Sequence, residues 1–388
     1  MTKYLKYIVF VLVLVQISAC REPYDPALKA AKNGYLVVDG VIVNGQGETI
    51  ISLTRSTGLH DSANIVYEKK ANVQIEGEDK SIFTLSEEDN GHYTAGSLDL
   101  NEGVKYRLKI STKDGNIYLS DYVPVLTSPP IDSVSSLQEV NADDANFDNL
   151  NIYINTHDPD NKTRYYLWKY EETYKYHAAI NSYVKDSNNI ITYMSQSEQD
   201  KLYYCWKSIK SKSIFIGNSV KLSQDVISMK PLTSTKGNSI KKSLVYSINV
   251  NQYALTKDAY DFYEILQKNT EQTGSLFDPQ PSEINGNIKN VNNPLERVFG
   301  FVSISTLSSK RKYINKGLFY LYPDYCVTVN HNLDVPSIQF PYKNYPVNFI
   351  KNIATGAVVG YVIAPSECVN CELQGGSNIK PIFWPDSL

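Results

Sequence analysis

Val104-Lys105-Tyr106-Arg107-Leu108-Lys109-Ile110 alternates apolar and basic side chains without a break, and Asn72-Val73-Gln74-Ile75-Glu76 keeps the same period with polar partners. A period of two sends Val104, Tyr106, Leu108 and Ile110 to one face of an extended chain and the cations to the other. Each stretch therefore predicts a strand with one buried and one wet face. Working outward, similar patterns cover residues 35–43, 49–55, 81–85 and 116–123, separated by the turn signals Asn44-Gly45, Asp89-Asn90-Gly91 and Asp114-Gly115-Asn116. Short strands at this spacing predict an immunoglobulin-like β-sandwich over residues 34–128, closed by the stiff joint Ser128-Pro129-Pro130. Leu150-Asn151-Ile152-Tyr153-Ile154-Asn155 restarts the alternation, and residues 164–176, 203–209, 244–250, 298–306 and 317–322 read as further strands of a second β-rich domain, 131–388. One segment departs from that period. Over 256–273, Ala259, Phe262, Tyr263 and Leu266 form a stripe at helical spacing, with Thr256 as N-cap and Gly274 as the stop, which predicts one packed helix.

Composition agrees with a mainly β chain. Among 388 residues there are 30 Tyr, 12 Phe and 3 Trp, and 42% of the chain is apolar. Such content excludes wholesale disorder and suits pleated, half-buried surfaces. The formal charge is −3, so no global positive field exists to bind nucleic acid by counterion release.

Lys3 and Lys6 precede an apolar run, 7–15, that is too short to span a bilayer and reads as a signal peptide over 1–19. Ile17-Ser18-Ala19-Cys20 looks like a bacterial lipobox, making Cys20 the lipidation site and 20–33 a lipidated tether. An ordinary signal peptide with an incidental cysteine is the alternative. Two or three acyl chains would anchor stably where one holds only marginally. The acidic residues after Cys20 resemble an export signal to the outer face of the outer membrane, and an arbitrary polar linker would look the same.

Enzyme motifs are missing from the sequence: there is no H-E-x-x-H, no G-x-S-x-G and no phosphate-cradling G-x-x-x-x-G-K. The five histidines, at 60, 92, 157, 177 and 331, are far apart in sequence. Asp158-Pro159-Asp160-Asn161-Lys162 spaces oxygens as calcium prefers but lacks the glycine and distal Glu of an EF-hand loop, so it reads as a turn. Glu87-Glu88-Asp89 and Asp143-Asp144 are too close in sequence to flank a scissile bond. No catalytic residue, metal ligand or cofactor is expected.

For binding, the tyrosine-rich stretch between Arg164 and Trp206 is the strongest candidate. Tyr166, Trp168 and Tyr170 would share one strand face, which could stack on a glycan or peptide or pack on a protein partner; a Tyr-rich sandwich core is the other reading. Excluding Cys20, the four remaining cysteines are an even number in an exported chain, implying two disulfides with three connectivities. We expect Cys368 with Cys371 and Cys205 with Cys326. A zinc site would need a second Cys knuckle, and a catalytic dithiol would need an activating environment that Glu367 and Glu372 do not offer.

Gly34-Tyr35-Leu36-Val37-Val38-Asp39-Gly40, Leu53-Thr54-Arg55-Ser56 and Pro130-Ile131-Asp132-Ser133 open a series of motifs. Gly274-Ser275-Leu276-Phe277-Asp278-Pro279, Gly286-Asn287-Ile288, Phe299-Gly300-Phe301, Cys368-Val369-Asn370-Cys371, Gly375-Gly376 and Pro381-Ile382-Phe383-Trp384 continue it. In order and spacing, over the whole mature chain, the series resembles a family of Bacteroidota lipoproteins grouped as domain of unknown function 4249. Members are typically encoded beside SusC-type TonB-dependent transporters. The resemblance therefore implies an accessory or ligand-capturing role at the outer membrane, and the missing enzyme motifs make the expected role a non-enzymatic one. A surface adhesin or structural envelope lipoprotein without a transporter partner is the alternative. A hydrolase would require a carboxylate pair or metal site assembled by folding.

Overall fold

The computed structural model describes residues 34–57, 65–139, 148–187, 190–271, 283–315, 322–333 and 344–387. The expected signal peptide, Cys20 and the tether lie outside these residues, as do His60, Asp143, Asp144 and the Gly274 to Pro279 motif. The chain is mainly β. Its first strands are β1 (Leu36–Asp39), β2 (Ile42–Asn44), β3 (Thr49–Arg55), β4 (Val66–Tyr67), β5 (Asn72–Gly77), β6 (Ile82–Glu87), β7 (His92–Ala95), β8 (Lys105–Ser111), β9 (Ile117–Ser120) and β10 (Val123–Leu126). There follow β11 (Ile131–Glu139), β12 (Asn149–Asp158), β13 (Tyr165–His177), β14 (Val184–Ser187), β15 (Ile190–Tyr193), helix α1 (Gln196–Tyr203), β16 (Tyr204–Lys210), β17 (Phe215–Asn218), β18 (Asp225–Thr235) and β19 (Val245–Leu255). The remainder comprises α2 (Lys257–Glu271), β20 (Ile288–Asn290), β21 (Val298–Phe299), β22 (Ile304–Thr306), β23 (Ser308–Ile314), β24 (Val329–Asn332), β25 (Asn344–Lys351), β26 (Val358–Pro365) and α3 (Ser366–Val369).

The alternating stretches pair with each other. Val73 lies opposite Ile110 and Ile75 opposite Leu108 in the antiparallel β5/β8 ladder, and all four are buried. On the wet face Glu76 bridges Arg107 and Lys109 at 2.7 and 2.8 Å. β6 pairs first with β5 and then, through Ser86 and Glu87, with β7, so the sheet doubles back around one core. That sandwich does not end at residue 128. After α2 the chain returns: β20 pairs with β9, β21 runs parallel to β1, and β22 inserts between β2 and β10. Ile288, Val298, Val302 and Ile304 join the first core. Gly300 permits this approach; its φ is +142° and a Cβ there would sit 2.2 Å from the Val38 carbonyl oxygen.

In the second part, sheet β11-β12-β18 faces sheet β16-β13-β19-β23 across a core of Ile152, Ile154, Tyr166, Trp168, Tyr174, Tyr176, Tyr246 and Ile248. Helix α2 covers the other face, with Ala259, Phe262 and Tyr263 packed against Leu167, Tyr253 and Leu255, and its first turn is capped by the Thr256 hydroxyl accepting from the Ala259 N–H at 3.2 Å. The joint at Ser128 and Pro129 is buried rather than a free linker. Gln252 donates to the Pro129 carbonyl at 2.8 Å and to the Thr156 hydroxyl at 3.1 Å. A third sheet, β24-β26-β25, and α3 complete the C-terminal part. No helix among the described residues is long and apolar enough to cross a membrane.

Candidate functional site

Tyr166, Trp168 and Tyr170 do share a strand face, but it is an inner face of the second sandwich. Tyr166 and Trp168 are 0% exposed and stack on each other at 5.7 Å, and Tyr170 is half-buried against Phe215. The expected binding stripe is thus a core layer, because β11, β12 and β18 cover the even-numbered side of β13. Each polar tip is satisfied, as burial requires: the Tyr166 hydroxyl donates to Asp225 and the Trp168 indole N–H to Gln252 at 2.9 Å.

The disulfides pair otherwise than expected. Cys205 joins Cys371, and Cys326 joins Cys368. Cys368 lies in α3 and Cys371 opens the following 3₁₀ turn, with extended Asn370 between them, so the backbone aims the two sulfurs at different neighbours. Cys371 reaches β16, while Cys368 holds the segment before β24.

The described histidines stay dispersed. His157 contacts Asp132 at 2.8 Å, His177 stacks on Tyr203 at 4.8 Å, and His92 accepts or donates to Ser52 Oγ at 2.8 Å through Nδ1. Ser52 and His92 are direct cross-strand neighbours of β3 and β7, and no carboxylate is bonded to His92 among the described residues. The Asp158 loop is a turn, its carboxylate accepting from the backbone N–H groups of Asp160, Lys162 and Thr163. No group of three metal-ligating side chains gathers among the described residues.

A cleft of about 450 Å³ opens where the two sandwiches meet. That volume is within the usual range of roughly 300–1,000 Å³ for ligand pockets. One wall is the first sandwich, with Asp39, Glu48, Ile50, Ser52 and His92; the other is the second sheet, with Lys169, Glu171, Lys210, Asn251 and Tyr253. Gly40 shapes the first wall. Its φ is +146°, and a Cβ would lie 2.3 Å from the Ile50 carbonyl oxygen. Lys169 and Asp39 reach across at 3.6 Å. Both are substantially exposed, and such a pair is worth only about 0–1 kcal/mol, so a ligand can replace either partner. Tyr253 is 8% exposed; burial first and the Asp39 charge second push its phenol up to about 12. It is a neutral hydroxyl at physiological pH, and no hydrogen-bond partner is bonded to it among the described residues. Of the three aromatic residues singled out from sequence, only Tyr170 contributes to this cleft.

The cleft residues come from segments more than 200 residues apart, and periodicity cannot show which strand ends meet. Of the cleft residues, Asp39-Gly40, within an opening motif, and Tyr170 are the ones the sequence singles out.

A family model described as Domain of unknown function (DUF4249) matches residues 21–311, about three quarters of the chain. The chain belongs to the DUF4249 family. The DUF4249 match takes in both walls of the cleft and the returning strands β20 to β22. It stops at Arg311, so Cys326, Cys368, Cys371 and the motifs around Gly375 and Trp384 lie beyond it, and the matched region is shorter than the motif series suggested. Among curated proteins, none matches the chain.

Proposed function

We propose that this protein is an exported outer-membrane lipoprotein, anchored through Cys20, that captures cargo for a TonB-dependent transporter of the SusC type and has no catalytic activity of its own. The observation that carries this reading is the cleft between the sandwiches: it is walled by both and lined with charged and polar groups. Two disulfides between sequence-distant cysteines support an oxidising compartment, in agreement with a signal peptide. Resemblance to the Bacteroidota lipoproteins supports the membrane and the transporter.

Isolation of the native protein from its host outer membrane in mild detergent tests this. A transporter in stoichiometric amount, together with lipid labelling that depends on Cys20, is the expected result. Emergence of the protein alone removes the transporter and leaves the adhesin or structural alternative; labelling that survives Cys20→Ala removes the anchor.

A further inference from the structure

We propose that the cleft binds short peptides and holds them by both charged ends, an inference that rests on the cargo-capture reading. The charges on the two walls differ. Asp39 and Glu48 stand on the first sandwich, and Lys169 and Lys210 on the second sheet, where Glu171 lies opposite Lys210 in the strand register. A ligand of one sign is attracted by one wall and repelled by the other. A molecule carrying an ammonium at one end and a carboxylate at the other meets a complement on each. The free termini of a peptide supply both, whatever its side chains.

Between these charges lies Tyr253. The residue is 8% exposed, it lines the cleft, and its hydroxyl has no protein partner among the described residues. A hydroxyl that reaches the cleft without a protein partner is free to donate to a ligand carbonyl. Peptides present carbonyls along their whole length. Asn251 also lines the cleft; its Oδ1 already accepts from Ser309 at 2.8 Å and Asn249 at 3.1 Å, so its amide NH₂ is the group left to donate.

A sugar is the poorer fit. Aromatic recognition of sugars uses an open ring face, whereas Tyr253 is buried and Tyr170 packs on Phe215 at 5.2 Å.

Calorimetric titration of the intact lipoprotein in detergent with three probes decides the matter: trialanine with free termini, N-acetyl-trialanine amide, and maltotriose. Trialanine should bind, and the doubly blocked peptide about tenfold or more weaker, because charge-assisted hydrogen bonds are lost at both ends. Tyr253→Phe should weaken trialanine about fivefold, the size of one neutral hydrogen bond, with an unchanged thermal unfolding profile. Lys169→Gln, at an exposed position, should weaken free trialanine and leave the blocked peptide unaffected. Equal binding of free and blocked peptide, or binding insensitive to both substitutions, overturns the inference. Maltotriose binding that is sensitive to Tyr253→Phe, with trialanine silent, overturns the peptide assignment but leaves cargo capture standing. Silence of all three probes also overturns it, while co-purification separately decides the transporter role.

Discussion

Gln252 shows how much a single buried amide can organise. It accepts from the Trp168 indole and donates to the Pro129 carbonyl and the Thr156 hydroxyl, tying the joint between the sandwiches to both sheets of the second. Gln252→Ala would strand the indole N–H in a dry interior and leave the Pro129 carbonyl only its long contact with the Ser128 hydroxyl at 3.5 Å. The expected loss is about 2–4 kcal/mol, read as a lower urea midpoint with an unchanged slope; an unmoved midpoint would contradict the network. The Ser128-Pro129-Pro130 joint was legible in the sequence as a boundary. Its burial was not, because the residue that fastens it lies 123 positions away. The aromatic stripe has the same lesson: alternation identifies which side chains share a face, not which sheet covers them.

Among the elements, the two longer helices differ in how far sequence foretells them. Helix α2 declares itself by an apolar stripe, and Ala259, Phe262 and Tyr263 are buried as that stripe requires. Helix α1 has no buried residue and escapes periodicity altogether. What it does carry is a capping box, with Ser195 and Glu198 exchanging hydrogen bonds between backbone and side chain. Glu198 also takes a hydrogen bond from Lys185 of β14, and this contact first, then those from Ser195, lowers its carboxyl from 4.5 to about 2. A depressed carboxylate stabilises above its ordinary pKa and stops doing so as pH falls through the folded value. The amide protection of residues 196–203 should therefore decline between pH 4.5 and about 2, followed by hydrogen exchange. Glu198→Gln should abolish that pH dependence; if the acid transition persists in the variant, another group drives it.

At the scale of the whole molecule, one disulfide ties the C-terminal part to β16 of the second sandwich, and the other closes a loop within the C-terminal part. Cys205–Cys371 closes 166 residues of chain and Cys326–Cys368 closes 42. In the chain-entropy picture these loops correspond to about 5 and about 4 kcal/mol, so removal of the first pair should lower the thermal midpoint more than removal of the second. Non-reducing peptide mapping should recover these two linkages; a linked Cys368–Cys371 peptide would refute the arrangement. Three of the four cysteines lie beyond Arg311, outside the family match, so the covalent clamp of the second sandwich is completed from the C-terminal part.

Strand content, the helix over 257–271 and the even cysteine count are local or additive properties, and the order of residues settles them through the period of the chain and its turn chemistry. Partner choice is not local. Which cysteines meet, and that β20 to β22 leave the second part to complete the first sandwich, depend on contacts between segments more than 40 residues apart in sequence, and often far more; which face of β13 is covered depends on how neighbouring sheets pack. The cleft belongs to this second class. Asp39 and Tyr253 line it together only because the chain folds its two sandwiches against one another, burying the joint between them.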